Sequence, residues 1–93
     1  MKSDALQQIK LRLKYGDMSK ISDTTGFSLE HVSNIIRGTK KINSNNINII
    51  KEAIFMASDS IRYRYIKNII NLLLIEKRIT KEQKNELIKI FGS

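Results

Sequence analysis

The residues best suited to bind another molecule lie on one face of a short helix that is predicted to begin after Ser28. The side chains that this face presents are an apolar group, a carboxylate, a hydroxyl and a carboxamide, from Leu29, Glu30, Ser33 and Asn34. Residues spaced by one, four and five positions share one side of an α-helix. A helix that presents polar side chains from its N-terminal half has the geometry that fits a DNA major groove.

A turn at Gly26 positions this helix against the one before it. Glycine adopts positive φ without steric cost, and a tight turn between two helices needs that conformation. Before the turn, one helix face carries Met18, Ile21 and Ser22, and after it the inward positions are Val32, Ile35 and Ile36. A basic loop, Arg37–Lys41, then leaves the second helix. We call residues 37–41 the strap.

Helical periodicity also dominates the rest of the chain, and strand signals are scarce, so the sequence predicts an all-α fold. A compact helix-turn-helix domain of four helices is expected over residues 1–57, followed by a C-terminal two-helix hairpin over residues 58–93. The predicted helices are Asp4–Tyr15; 18–25, capped by Asp17; 29–37, capped by Ser28; one from Asn43 or Ser44 to Ala57; one from Ser58 or Asp59 to Lys77; and one to Phe91, opened by a capping box of Thr80 and Gln83.

Composition limits the classes of function. The chain has 93 residues and a formal net charge of +8, which favours a polyanionic partner such as nucleic acid. The charge is spread evenly, with +4 on each side of residue 57. There is no cysteine and only one histidine, so a disulfide or a zinc finger is excluded, and no metal or cofactor is expected.

The same composition favours a soluble cytoplasmic protein that is not an enzyme. No signal peptide or membrane-spanning run is visible, so no membrane partner is expected. The sequence also lacks paired carboxylates, a Ser/His set and a phosphate-binding loop.

Residues 18–42 resemble the lambda-repressor-like helix-turn-helix proteins, the superfamily of phage Cro and repressor proteins and Xre-type regulators. The resemblance is carried by Ile21, Gly26, Phe27, Ser28, Val32-Ser33, Ile35 and Gly38, and together with the chain around this motif it covers about 45 residues, or about 55 with the first helix. Ser22 departs from the small alanine that is usual in the family. The resemblance implies a sequence-specific regulator of transcription, a phage-type or prophage-type repressor that binds double-stranded DNA.

The family motif also implies a role for each outward residue. Leu29, Glu30, Ser33 and Asn34 would read bases, with Asn34 pairing with adenine and Glu30 accepting from cytosine. Phosphate binding would come from Ser19, Ser28, His31, Arg37, Thr39, Lys40 and Lys41. Two alternatives stay open: Glu30 could simply complement the helix N-terminus, and the basic residues could be solvated surface.

The C-terminal hairpin carries more apolar residues than one face of a small monomer needs, which predicts a homodimer. The residues expected at the dimer interface are Ile66, Ile69, Ile70, Leu73, Leu74, Leu87, Ile88 and Phe91. A dimer would place two recognition helices about 34 Å apart on an inverted-repeat operator. The alternative is an antitoxin or anti-repressor whose C-terminal helices bind another protein. The cations and aromatics of 62–65 also occur in proteins that bind single-stranded nucleic acid, but the simpler interpretation is favoured, in which Tyr65 lies on the apolar stripe and Arg62 and Arg64 face outward.

Overall fold

The computed structural model describes residues 4–57 and 63–91, and these form an all-α structure. Its helices are α1 (Ala5–Arg12), α2 (Asp17–Thr25), α3 (Leu29–Arg37), α4 (Ile47–Ala57), α5 (Tyr63–Ile75) and α6 (Lys81–Phe91). No strand occurs in the described residues. The all-α prediction is therefore confirmed.

Local capping signals predicted several helix ends correctly. The Ser28 hydroxyl accepts from the His31 N–H at 3.1 Å, and α3 has the predicted bounds. Thr80 and Gln83 exchange backbone-to-side-chain hydrogen bonds of 2.8 and 3.1 Å at the start of α6, as a capping box requires. Asp4, which was predicted as the first residue of helix α1, is instead its N-cap and accepts from the Gln7 N–H.

Other predicted helix ends were wrong. Asp17 does not cap α2, because Gly16 occupies the N-cap with a φ of 88°, while the buried Asp17 carboxylate accepts from the Lys14 N–H. Helix α4 begins at Ile47, since Asn43 and Asn46 accept from each other's backbone N–H and hold a turn before it. The predicted start of the fifth helix, at Ser58 or Asp59, lies outside the described residues, as does Arg62.

Two helices also end earlier than the apolar pattern predicted. Helix α1 stops at Arg12 rather than Tyr15, because Leu13 has extended backbone. Helix α5 stops at Ile75 rather than Lys77, because Lys77 has a positive φ of 60°. An L-residue with positive φ cannot continue a right-handed helix.

One hydrophobic core joins the two predicted parts of the chain. It holds Leu6 and Ile9 of α1 and Ile35 of α3 together with Ile70 and Leu73 of α5. Helix α5 packs against both α1 and α6, and α2 packs against α4. The C-terminal hairpin and the first four helices therefore bury their apolar faces against each other.

This packing corrects the expectation that the apolar residues of the hairpin need a partner subunit. Five of the eight residues assigned to a dimer interface are at most 5% exposed in a single chain: Ile66, Ile69, Ile70, Leu73 and Leu87. Leu74, Ile88 and Phe91 are partly buried against the same core. The apolar surface looked excessive because α5 is covered by α1 as well as by α6.

No helix in the described ranges is long and apolar enough to span a bilayer.

Candidate nucleic-acid interface

The turn between α2 and α3 has the predicted geometry. Gly26 has a φ of 81° and donates its N–H to the Ser22 carbonyl at 2.9 Å, which ends α2. The Ser22 hydroxyl donates to the Phe27 carbonyl at 2.6 Å and so bridges the turn. This bond gives Ser22 a structural role at a position where an alanine could not make it.

Helix α3 separates its two faces cleanly. Val32, Ile35 and Ile36 are at most 1% exposed, and they anchor the helix in the core. On the other side, Leu29 is 49% exposed and Glu30 is also exposed, whereas Ser33 and Asn34 are half-buried. The structure therefore brings the four predicted base-reading residues onto one outward face.

Neighbouring side chains orient the two half-buried polar residues on this face. The Thr39 hydroxyl lies 3.1 Å from both the Asn34 side-chain Oδ1 and the Asn34 carbonyl. Arg37 donates to the Ser33 hydroxyl at 3.5 Å. An amide oxygen has two lone pairs, so Asn34 keeps the capacity to accept a further hydrogen bond.

The first residues of the strap are hydrogen-bonded to the last turn of α3, and the residues after them are exposed. Gly38 has a φ of 83° and donates to the Ile35 carbonyl, and the Thr39 N–H donates to the Asn34 carbonyl at 2.9 Å. Thr39, Lys40 and Lys41 are exposed, as is Arg37 at the end of α3. Each of these four residues, which were predicted to bind phosphate, is therefore exposed to solvent next to the outward face of α3.

His31 has a different environment from the one that phosphate binding requires. Its ring stacks on Phe27 with centroids 4.8 Å apart, and its Nε2 is buried without a hydrogen-bond partner among the described residues. Its Nδ1 lies 3.4 Å from the Lys40 ammonium, which can only donate, so Nδ1 acts as the acceptor. This geometry favours a role for His31 in holding Lys40 rather than a direct phosphate contact.

A shallow groove beside the outward face of α3 is lined partly by residues to which the sequence analysis gave no functional role. The exposed Ser19, the Leu29 side chain and Ser33 line this groove together with Lys10 and Lys14. Lys10 reaches the groove from α1, and Lys14 reaches it from the segment between α1 and α2. Periodicity alone did not indicate this placement, because it depends on how α1, α2 and α3 lie against one another.

The described residues contain no cluster of three or more His, Cys, Asp or Glu side chains that could hold a metal ion. Comparison of the chain with known proteins returns no match among family models, curated proteins or solved structures.

Proposed function

We propose that this protein is a sequence-specific double-stranded DNA-binding regulator that inserts α3 into the major groove. The observation that carries the proposal is the division of α3 into a buried apolar face and an outward face of Leu29, Glu30, Ser33 and Asn34. The strap extends this face with three cationic side chains, from Arg37, Lys40 and Lys41. Cations beside a polar helix face suit a duplex whose phosphates flank the base edges.

In this proposal the contacts divide by chemistry. The Asn34 carboxamide pairs with adenine, the Glu30 carboxylate accepts from cytosine, and Leu29 contacts a thymine methyl group. The hydroxyls and cations around them bind phosphates and set the register of the helix, namely Ser19, Ser28, Arg37, Thr39, Lys40 and Lys41. The protein would then act in the cytoplasm as a repressor of phage or prophage type.

An inverted-repeat operator follows only if the chain dimerises, and dimerisation was predicted from apolar residues of the hairpin, most of which a single chain buries. Sedimentation at micromolar concentration tests it directly. The competing function is that of an antitoxin or anti-repressor that binds a protein through its C-terminal helices. The observation favouring it is the exposure of Ile75 and Ile90, which are 72% and 48% exposed.

The proposal is tested by selecting bound sites from random duplex DNA and then measuring the affinity of Asn34→Ala for the selected site. Loss of a bidentate base contact costs about 1–3 kcal/mol, or about 5- to 150-fold, on the selected site only. Binding to an unrelated duplex should hardly change, because phosphate contacts dominate it.

Asn85→Ala is the matched control, since Asn85 is exposed on α6 and far along the chain from α3. An equal loss for Asn34→Ala on both duplexes would contradict base reading. If the wild-type chain enriches no site at all, the protein-partner function becomes the better proposal.

A further inference from the structure

We propose that Lys77, in the turn between α5 and α6, is a further phosphate-binding residue that acts together with Lys40 and Lys41 of the strap. This proposal rests on the proposed DNA-binding function and extends its interface to the C-terminal hairpin. The ligand is the phosphodiester backbone flanking the groove that α3 enters.

The first observation is the backbone conformation of Lys77. Lys77 has a φ of 60°, and it is the sole non-glycine residue with positive φ in the described part of the chain. The other positive-φ positions there are Gly16, Gly26 and Gly38. Glycine adopts this conformation freely, whereas an L-residue is strained in it. A lysine at such a position indicates that its side chain is retained for a purpose other than ending the helix.

The position of the turn is the second observation. The Glu76 carboxylate accepts from the Ala5 N–H at 3.2 Å, and Arg78 lies 3.3 Å from both Asp4 and Glu76. These bonds fix the turn to the start of α1. A Cβ placed on Gly38 would lie 3.1 Å from the Arg78 guanidinium, so the turn also lies directly against the strap.

The distribution of charge is the third observation. One cleft of about 360 Å³ is lined by Lys40, Lys41 and Lys77 together with Glu76 and Arg78. Glu76 is already paired with Arg78, which also pairs with Asp4. No acidic side chain of the described residues lies within ion-pair distance of the three lysines. All three are exposed.

Three cations without an acidic partner around one cleft repel one another, and an anion that enters the cleft relieves that repulsion. Two of these cations belong to the strap, which leads directly from the recognition helix. A backbone phosphate bound by Lys40 or Lys41 therefore lies beside the turn that carries Lys77. Phosphates recur every 3.4 Å of helix axis along one DNA strand, so neighbouring phosphates can occupy the cleft together.

The test compares the full-length wild-type chain with Lys77→Gln across a series of salt concentrations on a selected duplex and an unrelated duplex. Loss of one phosphate contact reduces the slope of log K against log[salt] by about 0.9. If that contact acts purely by counterion release, the affinity falls about 15-fold at 50 mM salt and about fourfold at 200 mM. The loss should be the same on both duplexes, because phosphate contacts carry no sequence information.

Two further variants separate a specific contact from a general effect of charge. Lys89→Gln removes an exposed lysine from α6, outside the cleft, and should leave the salt slope nearly unchanged. Lys77→Arg keeps the charge and should retain wild-type affinity within about twofold.

An unchanged slope for Lys77→Gln, with wild-type DNA binding intact, would overturn the role of Lys77 and leave the proposed function standing. Equal losses for Lys77→Gln and Lys89→Gln would also overturn it, because net charge would then explain both. If the wild-type chain binds neither duplex, the proposed function fails, and the role of Lys77 fails with it.

Discussion

Helices α3 and α5 end with the same hydrogen-bonding motif, but one uses glycine and the other uses lysine. In α3, the Gly38 N–H donates to Ile35 and the Thr39 N–H donates to Asn34. In α5, the Lys77 N–H donates to Leu74 and the Arg78 N–H donates to Leu73 at 2.9 Å. Both patterns are Schellman motifs, which place a positive-φ residue just after the helix.

The difference between the two residues follows from what surrounds them. At Gly38 a side chain is disfavoured by the φ of 83°, and an added Cβ would lie 3.1 Å from the Arg78 guanidinium and 3.3 Å from a Leu6 methyl group. At Lys77 the backbone conformation is unfavourable, and the side chain is exposed. Glycine therefore occupies the crowded helix ending, and lysine occupies the ending where an outward cation has room.

The largest expected effect comes from breaking the core that holds the two helix endings together. Leu73→Ala removes a fully buried side chain of α5 and should lower the free energy of unfolding by about 2–5 kcal/mol. Urea unfolding followed by circular dichroism measures this loss, and amide hydrogen exchange shows which helices unfold together.

Leu11→Ala is the control for Leu73→Ala, because Leu11 is 70% exposed and should change the free energy of unfolding by less than about 0.5 kcal/mol. In Leu73→Ala, we expect the amides of α3 and α5 to lose protection together. Loss of α5 alone, with α3 still protected, would contradict a shared core.

The next largest effect tests the crowding at Gly38. Gly38→Ala should lower the free energy of unfolding by about 1–3 kcal/mol through its φ, and further through the displacement of Arg78. Gly16→Ala is the matched control, since Gly16 has a φ of 88° with no atom within 4 Å of an added Cβ. Thermal unfolding should show a larger loss at Gly38 than at Gly16. Equal losses would mean that the strap and the turn do not meet closely.

The smallest expected change in stability is an increase rather than a decrease, and it comes from substituting Lys77. Lys77→Gly removes about 1–2 kcal/mol of left-handed strain and adds about 0.4–1 kcal/mol of unfolded-state entropy, so the protein should gain up to about 1.6 kcal/mol of stability. The same variant should bind DNA less tightly. A rise in the melting temperature combined with weaker binding would show that Lys77 is kept for its charge. A fall in the melting temperature would show that its side chain stabilises the fold instead.

The sequence alone predicted several features of the structure that depend on residues close together in the chain, and it missed those that depend on residues far apart. The Ser28 cap, the Thr80 and Gln83 box and the Gly26 turn are signals within five residues, and each was predicted correctly. The Asp17 cap failed because its carboxylate bonds back to the Lys14 N–H, and the Asn43 carboxamide caps a turn ahead of α4 by accepting from the Asn45 and Asn46 N–H groups.

The candidate site shows the same division. The outward face of α3 follows from helical spacing, so the placement of its four residues on one face was predicted correctly, and their contact with DNA stays a prediction. The cleft could not be predicted, because it joins Gly38 to Arg78, forty positions apart, and because a lysine at positive φ has no sequence signal. Five of the hairpin residues assigned to a dimer interface are buried within the single chain, and the sequence could not indicate this because the apolar pattern cannot distinguish a partner subunit from α1.

The bonds between the start of α1 and the turn after α5 also affect the order in which this protein folds during synthesis. The Ala5 N–H bonds to Glu76, 71 positions away, and Asp4 pairs with Arg78, 74 positions away. A ribosome that has released only the first four helices has released neither of these partners, nor the α5 residues that cover α1. The proposed DNA-reading half therefore waits for the C-terminal hairpin, and we expect its folding to finish only after that hairpin has left the ribosome.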